Sequence, residues 1–149
     1  MRFVKGCAYI LCGAVFGMVL FIMALMKNPY GSLMNECEKL GQEYYLYSVS
    51  SQAKISKSLT LAEYFSKTGE KSVFAMKSKK EADRYALKLL KEHRATVVCE
   101  ENVAGVRSIY AYAPALGEGV RLFGQTVNLH LVVSAENLQV GVPLIFGGY

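Results

Sequence analysis

At 149 residues the chain is long enough for one domain with its own core and too short for two. Seventeen basic residues against twelve acidic ones give a net charge of +5, yet Arg2, Lys5 and Lys27 flank an apolar run. Without them 14 basic residues face 12 acidic ones, a balance that excludes a strongly basic nucleic-acid-binding domain, and no low-complexity tract or fixed-period repeat is present.

Cys7 to Met26 is an unbroken run of twenty residues without charge or proline, and it predicts a helix of about 30 Å, the thickness of a bilayer hydrocarbon core. The expectation is an N-terminal transmembrane helix acting as a signal anchor. Arg2 and Lys5 then hold the amino terminus in the cytoplasm, so the protein is expected in the cell membrane as a single-pass chain with its C-terminal domain extracytoplasmic. A cleavable signal peptide fits less well, because its apolar region is about 7–15 residues long and ends in small residues, whereas the exit here reads Ala24-Leu25-Met26-Lys27-Asn28-Pro29. Gly13 and Gly17 form a GxxxG pattern, a helix-dimerisation face that would support a homodimer. Lys5-Gly6 before Cys7 also has the outline of a prepilin boundary. That alternative, a pilin-like or pseudopilin-like structural subunit, meets Leu11 where pilins carry glutamate. The expected division is 1–27 for the anchor, 28–42 for a connecting turn and short helix, and 43–149 for an extracytoplasmic α+β domain.

Asn28-Pro29-Tyr30-Gly31 is a turn signal, after which Ser32 is positioned to cap a short helix over Leu33 to Leu40 that stops at Gly41. Glu43 to Ile55 alternates through Tyr45, Tyr47 and Val49 and predicts the first long strand. Thr60-Leu61-Ala62-Glu63 is a capping box, and Leu61, Tyr64 and Phe65 share the face expected to dock on the sheet. Ser72 to Met76 predicts a brief strand. Ser78-Lys79-Lys80-Glu81 is a second capping box that opens a helix to His93, with Ala82, Tyr85, Ala86, Leu89 and Leu90 as its apolar stripe. Thr96 to Cys99 and Val106 to Ala113 read as a hairpin, and Val127 to Ser134 as a further strand. Its Val127, Leu129, Leu131 and Val133 face one way; Asn128, His130, Val132 and Ser134 face the other. The apolar end of the chain, Gly141 to Phe146, is expected to dock. The sum is an α+β fold with helices packed on a mainly antiparallel sheet.

Between Lys77 and Arg94, seven basic residues face only Glu81, Asp83 and Glu92. Lys80, Arg84, Lys88 and Lys91 recur three or four residues apart on the outer side of the predicted helix. They make an anionic-surface or partner-binding face, suited to lipid headgroups, an anionic polymer or an envelope protein. The plain alternative is a solvated helix face with intrahelical ion pairs. Tyr44, Tyr45, Tyr47, Tyr110 and Tyr112 form a second candidate surface if the sheet leaves them uncovered. Cys37 and Cys99 either join in a disulfide or stay unpaired, and spacing leaves both open. The only histidines are His93 and His130. A hydrolase alternative would pair Cys99 with His130, but no catalytic or metal motif accompanies them, so no enzyme activity, metal or cofactor is expected.

Ser108-Ile109-Tyr110-Ala111-Tyr112, then Val127 to Ser134, then Val140-Gly141-Val142-Pro143-Leu144-Ile145 resemble the C-terminal part of the YwmB-like proteins, envelope-associated proteins of spore-forming bacteria. Lys57 to Phe65 and the helix after Ser78 are similar to that family's helical region. The resemblance implies a fold like that of the TATA-box-binding protein, helices on a curved antiparallel sheet, and an accessory role in the cell envelope linked to sporulation. It implies no catalytic residues. The chain is shorter than the family's pattern, and fold alone carries no DNA-binding function, so nucleic acid is not an expected partner.

Overall fold

The tyrosine-rich stretch after Leu40 and the apolar runs after Ala95 pair, with Gly69–Ala75, into one seven-stranded sheet. The computed structural model describes residues 12–20, 28–47 and 53–146. The strands are β1 (Lys39–Tyr47), β2 (Ala53–Ser56), β3 (Gly69–Ala75), β4 (Thr96–Val103), β5 (Val106–Tyr112), β6 (Val120–Leu122), β7 (Gln125–Val127), β8 (Leu129–Val133) and β9 (Asn137–Val142). In the main sheet they are ordered β2-β1-β3-β9-β8-β5-β4, with every neighbouring pair antiparallel, while β6 and β7 form a separate hairpin. The helices are α1 (Leu33–Glu36), α2 (Leu61–Ser66) and α3 (Lys79–Glu92), with a 3-10 turn at Pro114–Leu116.

The pairing makes β3 and β4 parallel, with β9, β8 and β5 between them. Four strand spacings amount to about 19 Å. The 14 residues of α3 cover about 21 Å, so this helix bridges the gap and lies over β8 and β9. Its Ala82, Tyr85, Ala86, Leu89 and Leu90 enter one core with Phe74, Ile109, Leu129, Leu131, Val133, Leu138 and Val140 from the facing side of the sheet. Tyr30 and Leu33 belong to the same core, so segment 28–42 is part of the domain's packing as well as its lead-in.

The expected membrane helix requires correction. Within the apolar run, residues 12–20 are described, and they are helical. Among the described residues no helix is long and apolar enough to cross a membrane. The α+β class with a mainly antiparallel sheet stands, but the described residues contain no transmembrane helix or signal anchor. The single-pass cell-membrane location, with a cytoplasmic amino terminus and an extracytoplasmic domain, loses its basis with them. The rest of the apolar run, and the Lys5-Gly6 boundary, lie outside the described residues.

Three local expectations also change. α1 ends at Glu36, because Cys37 is extended and β1 has begun by Lys39. Ser32 has helical geometry and makes no side-chain cap; instead its N–H donates to Glu92 Oε2 of α3 at 3.2 Å. The predicted strand from Glu43 to Ile55 is two antiparallel strands, β1 and β2. Finally, α2 buries none of its residues, and Leu61 and Phe65 are 77 % and 72 % exposed. Tyr64 is half-buried, with the Lys67 ammonium over its ring at 4.4 Å.

The Thr60 capping box is complete: Thr60 Oγ1 accepts the Glu63 N–H at 3.3 Å, and the Glu63 carboxylate accepts the Thr60 N–H at 3.0 Å. With no buried side chain to hold α2, this cap carries much of its local stability. Thr60→Ala is expected to cost about 1 kcal/mol locally. Amide exchange at Tyr64, whose N–H donates to Thr60 O, should then quicken about fivefold while Leu89 and Leu131 keep their protection.

Candidate functional site

Helix α3 is built to keep its acids away from its outer face. Ser78 Oγ accepts the Glu81 N–H at 3.2 Å, and the Glu81 carboxylate accepts the Lys77 N–H at 2.7 Å, so the second capping box closes one residue earlier than the usual pattern. Asp83 accepts from Arg107 Nη1 at 3.0 Å. Glu92 reaches back to Ser32. Each of the three acids on α3 thus engages backbone or an arginine of the sheet, and Glu81 Oε1 also lies 3.5 Å from Arg84 Nη2.

Arg107 is the residue that periodicity did not single out. From β5 it also forms a bidentate pair with Glu100 on β4, with contacts of 2.8–3.0 Å, and these carboxylates, Glu100 foremost, push its pKa above the ordinary arginine value. It ties α3 to the β4–β5 hairpin. The only signal in the sequence was one arginine in an otherwise uncharged strand, Val106 to Ala113.

The four expected basic residues divide into two kinds. Lys88 is neutralised, since its Nζ lies 2.7 Å from Glu36 Oε1, whose other oxygen accepts the Tyr85 hydroxyl at 3.0 Å. The Lys88 and Tyr85 hydrogen bonds hold Glu36 below the usual carboxylate range, and the Glu36 bond pushes Tyr85 up to about 12. Lys80 and Lys91 are exposed, and no ion pair engages them among the described residues. Arg84 stacks its guanidinium over Tyr85 and touches Glu81 only at 3.5 Å, with its side chain 68 % exposed. Lys80, Arg84 and Lys91, with exposed Leu87, fall on one line at i, i+4, i+7 and i+11, about 16 Å long.

The tyrosines do not gather. Tyr44 and Tyr45 point to opposite faces of β1, and Tyr45 is fully buried, with its hydroxyl donating to Phe146 O at 3.4 Å. Tyr110 and Tyr112 share the sheet face away from α3.

Cys99 and His130 share that face but are two strands apart, since Cys99 pairs with Tyr110 and Tyr110 with His130. Two strand spacings are about 10 Å, and the Tyr110 ring stacks on the imidazole at 4.3 Å, so the two groups are not in hydrogen-bond reach. Burial depresses His130 to about 4. His93 caps α3, and its Nε2 lies 3.2 Å from Pro29 O. Cys37 and Cys99 are free thiols. Gly13 and Gly17 lie on the described helical stretch with open space where a side chain would begin.

No family model, curated protein or solved structure matches this chain.

Proposed function

We propose that this chain is a binding domain without catalysis of its own, which holds an extended anionic polymer of the bacterial envelope along the outer face of α3. The observation that carries the reading is the segregation of charge on this helix. Asp83, Glu81 and Glu92 are engaged at its margins and ends, while Lys80, Arg84 and Lys91 stand in line on the open side. A straight array along a helix suits a chain of repeated negative charges better than a compact ligand. The envelope setting and a link to sporulation come from the likeness to the YwmB-like proteins and belong to the same proposal.

The test is titration of a fluorescent long-chain polyphosphate with the full chain at low and moderate salt. Each lysine or arginine beside an anionic surface contributes up to about 1 kcal/mol. Reversing Lys80, Arg84 and Lys91 to glutamate is therefore expected to weaken binding at least about 30-fold, with a shallower salt dependence. Reversing Lys57 and Arg121, which are exposed elsewhere, should change it less than about threefold. Equal losses from both sets would remove α3 as the site.

A further inference from the structure

On the sheet face away from α3, the chain after β9 folds back as a strap, residues 143–146, and lies across the strands it has just left. Two glycines make room for it. A side chain at Gly141 would collide with Ile145, and one at Gly69 would meet Val142 O and Pro143. Ile145 is buried, and its N–H donates to His130 Nδ1 at 3.2 Å. The far end is fastened by Tyr45, whose hydroxyl exchanges hydrogen bonds with the Phe146 N–H and C=O at 3.3 and 3.4 Å, while the two rings meet edge to face at 5.1 Å. His130 therefore holds the middle of the strap through a ring nitrogen that must be unprotonated to accept.

We propose that the 143–146 strap is a proton-gated latch: neutral His130 keeps it on the sheet, and protonation of that imidazole releases it. Protonated Nδ1 becomes a donor facing the Ile145 N–H, so an attraction turns into a repulsion between two donors. From β5 the ring faces Tyr110, whose hydroxyl donates to Glu101 on β4 at 3.3 Å; from β9 it faces Gly141; from the strap only apolar residues. Among the described residues an ion pair on this face, Lys71 with Glu43 at 2.9 Å, belongs to β3 and β1.

The sign follows from burial. The closed-strap imidazole has its pKa depressed to about 4, against about 6.5 for the free group. Closure is thus fully favoured above pH 6.5 and weakens as pH falls toward 4, by at most about 300-fold. This latch lies on the other side of the sheet from the basic face of α3, and it stands or falls separately from polymer binding.

Hydrogen exchange of the full chain tests it at pH 7.5 and 4.0, with rates corrected for intrinsic chemistry. Protection of the Ile145 and Phe146 amides should fall more than tenfold at pH 4.0, while Leu89 and Leu131 keep theirs. His130→Asn, whose side-chain oxygen can accept from Ile145 but takes up no proton, should hold the strap at both values. The imidazole nitrogen shifts of the wild-type chain supply a measurement independent of that variant: they should titrate together with the loss of Ile145 protection and well below pH 6. Unchanged protection at pH 4.0, loss in step with the core amides, or an imidazole midpoint near 6.5 would each overturn the latch.

Discussion

Phe74→Ala is expected to remove about 3–5 kcal/mol of stability. Phe74 is fully buried on β3, opposite Leu138 of β9 and Lys39 of β1, with its ring 5.7 Å from that of Tyr30. It is where the sheet, α3 and the 28–36 segment meet, so truncation removes the contacts of three elements and leaves a cavity that paired strands cannot close. Tyr30 loses its tilted ring contact while it stays beside Glu70, whose charge adds to burial in pushing its pKa upward. A domain of this size has about 5–15 kcal/mol in total. Urea denaturation should show a lower midpoint at unchanged slope, and a loss under 1 kcal/mol would contradict the packing described.

Asn128→Ala should cost nearly as much, about 3 kcal/mol, through polar groups rather than volume. Asn128 is fully buried between β7 and β8. Its Oδ1 accepts the Ala113 N–H at 2.7 Å, and its Nδ2 donates to Ala113 O at 2.9 Å and to Gly117 O at 2.7 Å. One side chain thereby satisfies both backbone groups of Ala113 and fixes the 3-10 turn that covers the core with Leu116. Removing it strands the Ala113 N–H and Gly117 O, each left unsatisfied at about 1–3 kcal/mol before relaxation, while Ala113 O keeps the Leu116 N–H at 3.0 Å. Asn128→Asp keeps the acceptor but sets a carboxylate oxygen against two carbonyls. It should be no more stable than Asn128→Ala at pH 7 and should recover in acid as the carboxyl gains a proton. Thermal unfolding of the two variants at pH 7 and 4.5 checks both statements.

Elements governed by local rules were legible residue by residue. The Thr60 and Ser78 caps, the apolar stripe of α3 and the alternation of Leu129, Leu131 and Val133 follow from 3.6- and 2-residue periods. Other features broke a local rule because something distant prevailed. Ser32 makes no side-chain cap, and its own N–H is held by Glu92, sixty residues away. α2 carries an amphipathic pattern that never met the sheet. Val132 and His130 occupy the side of β8 that alternation marks as the more polar one, yet both are buried. The β6–β7 hairpin was readable in principle from Gly124, but its turn places Phe123 at φ 51°, a conformation its side chain does not announce. The twenty-residue apolar run differs: hydropathy alone predicted a spanning helix, and among the described residues no helix is long and apolar enough to cross a membrane.

By itself the sequence determined the mixed α+β character, the antiparallel hairpins, the core side of α3 and the clustering of cations on its far side, because periodicity and charge are properties of neighbouring residues. Only the tertiary structure decided which charges remain available. Lys88 met Glu36 across fifty-two positions, and Arg107 drew Asp83 and Glu100 to itself, leaving Lys80, Arg84 and Lys91 open. It alone also decided that His130 belongs to a strap rather than to Cys99. Partners so far apart in the chain meet only when the sheet order β3-β9-β8-β5-β4 closes, and a burial or ion pair created by that closure has no signature in either segment alone.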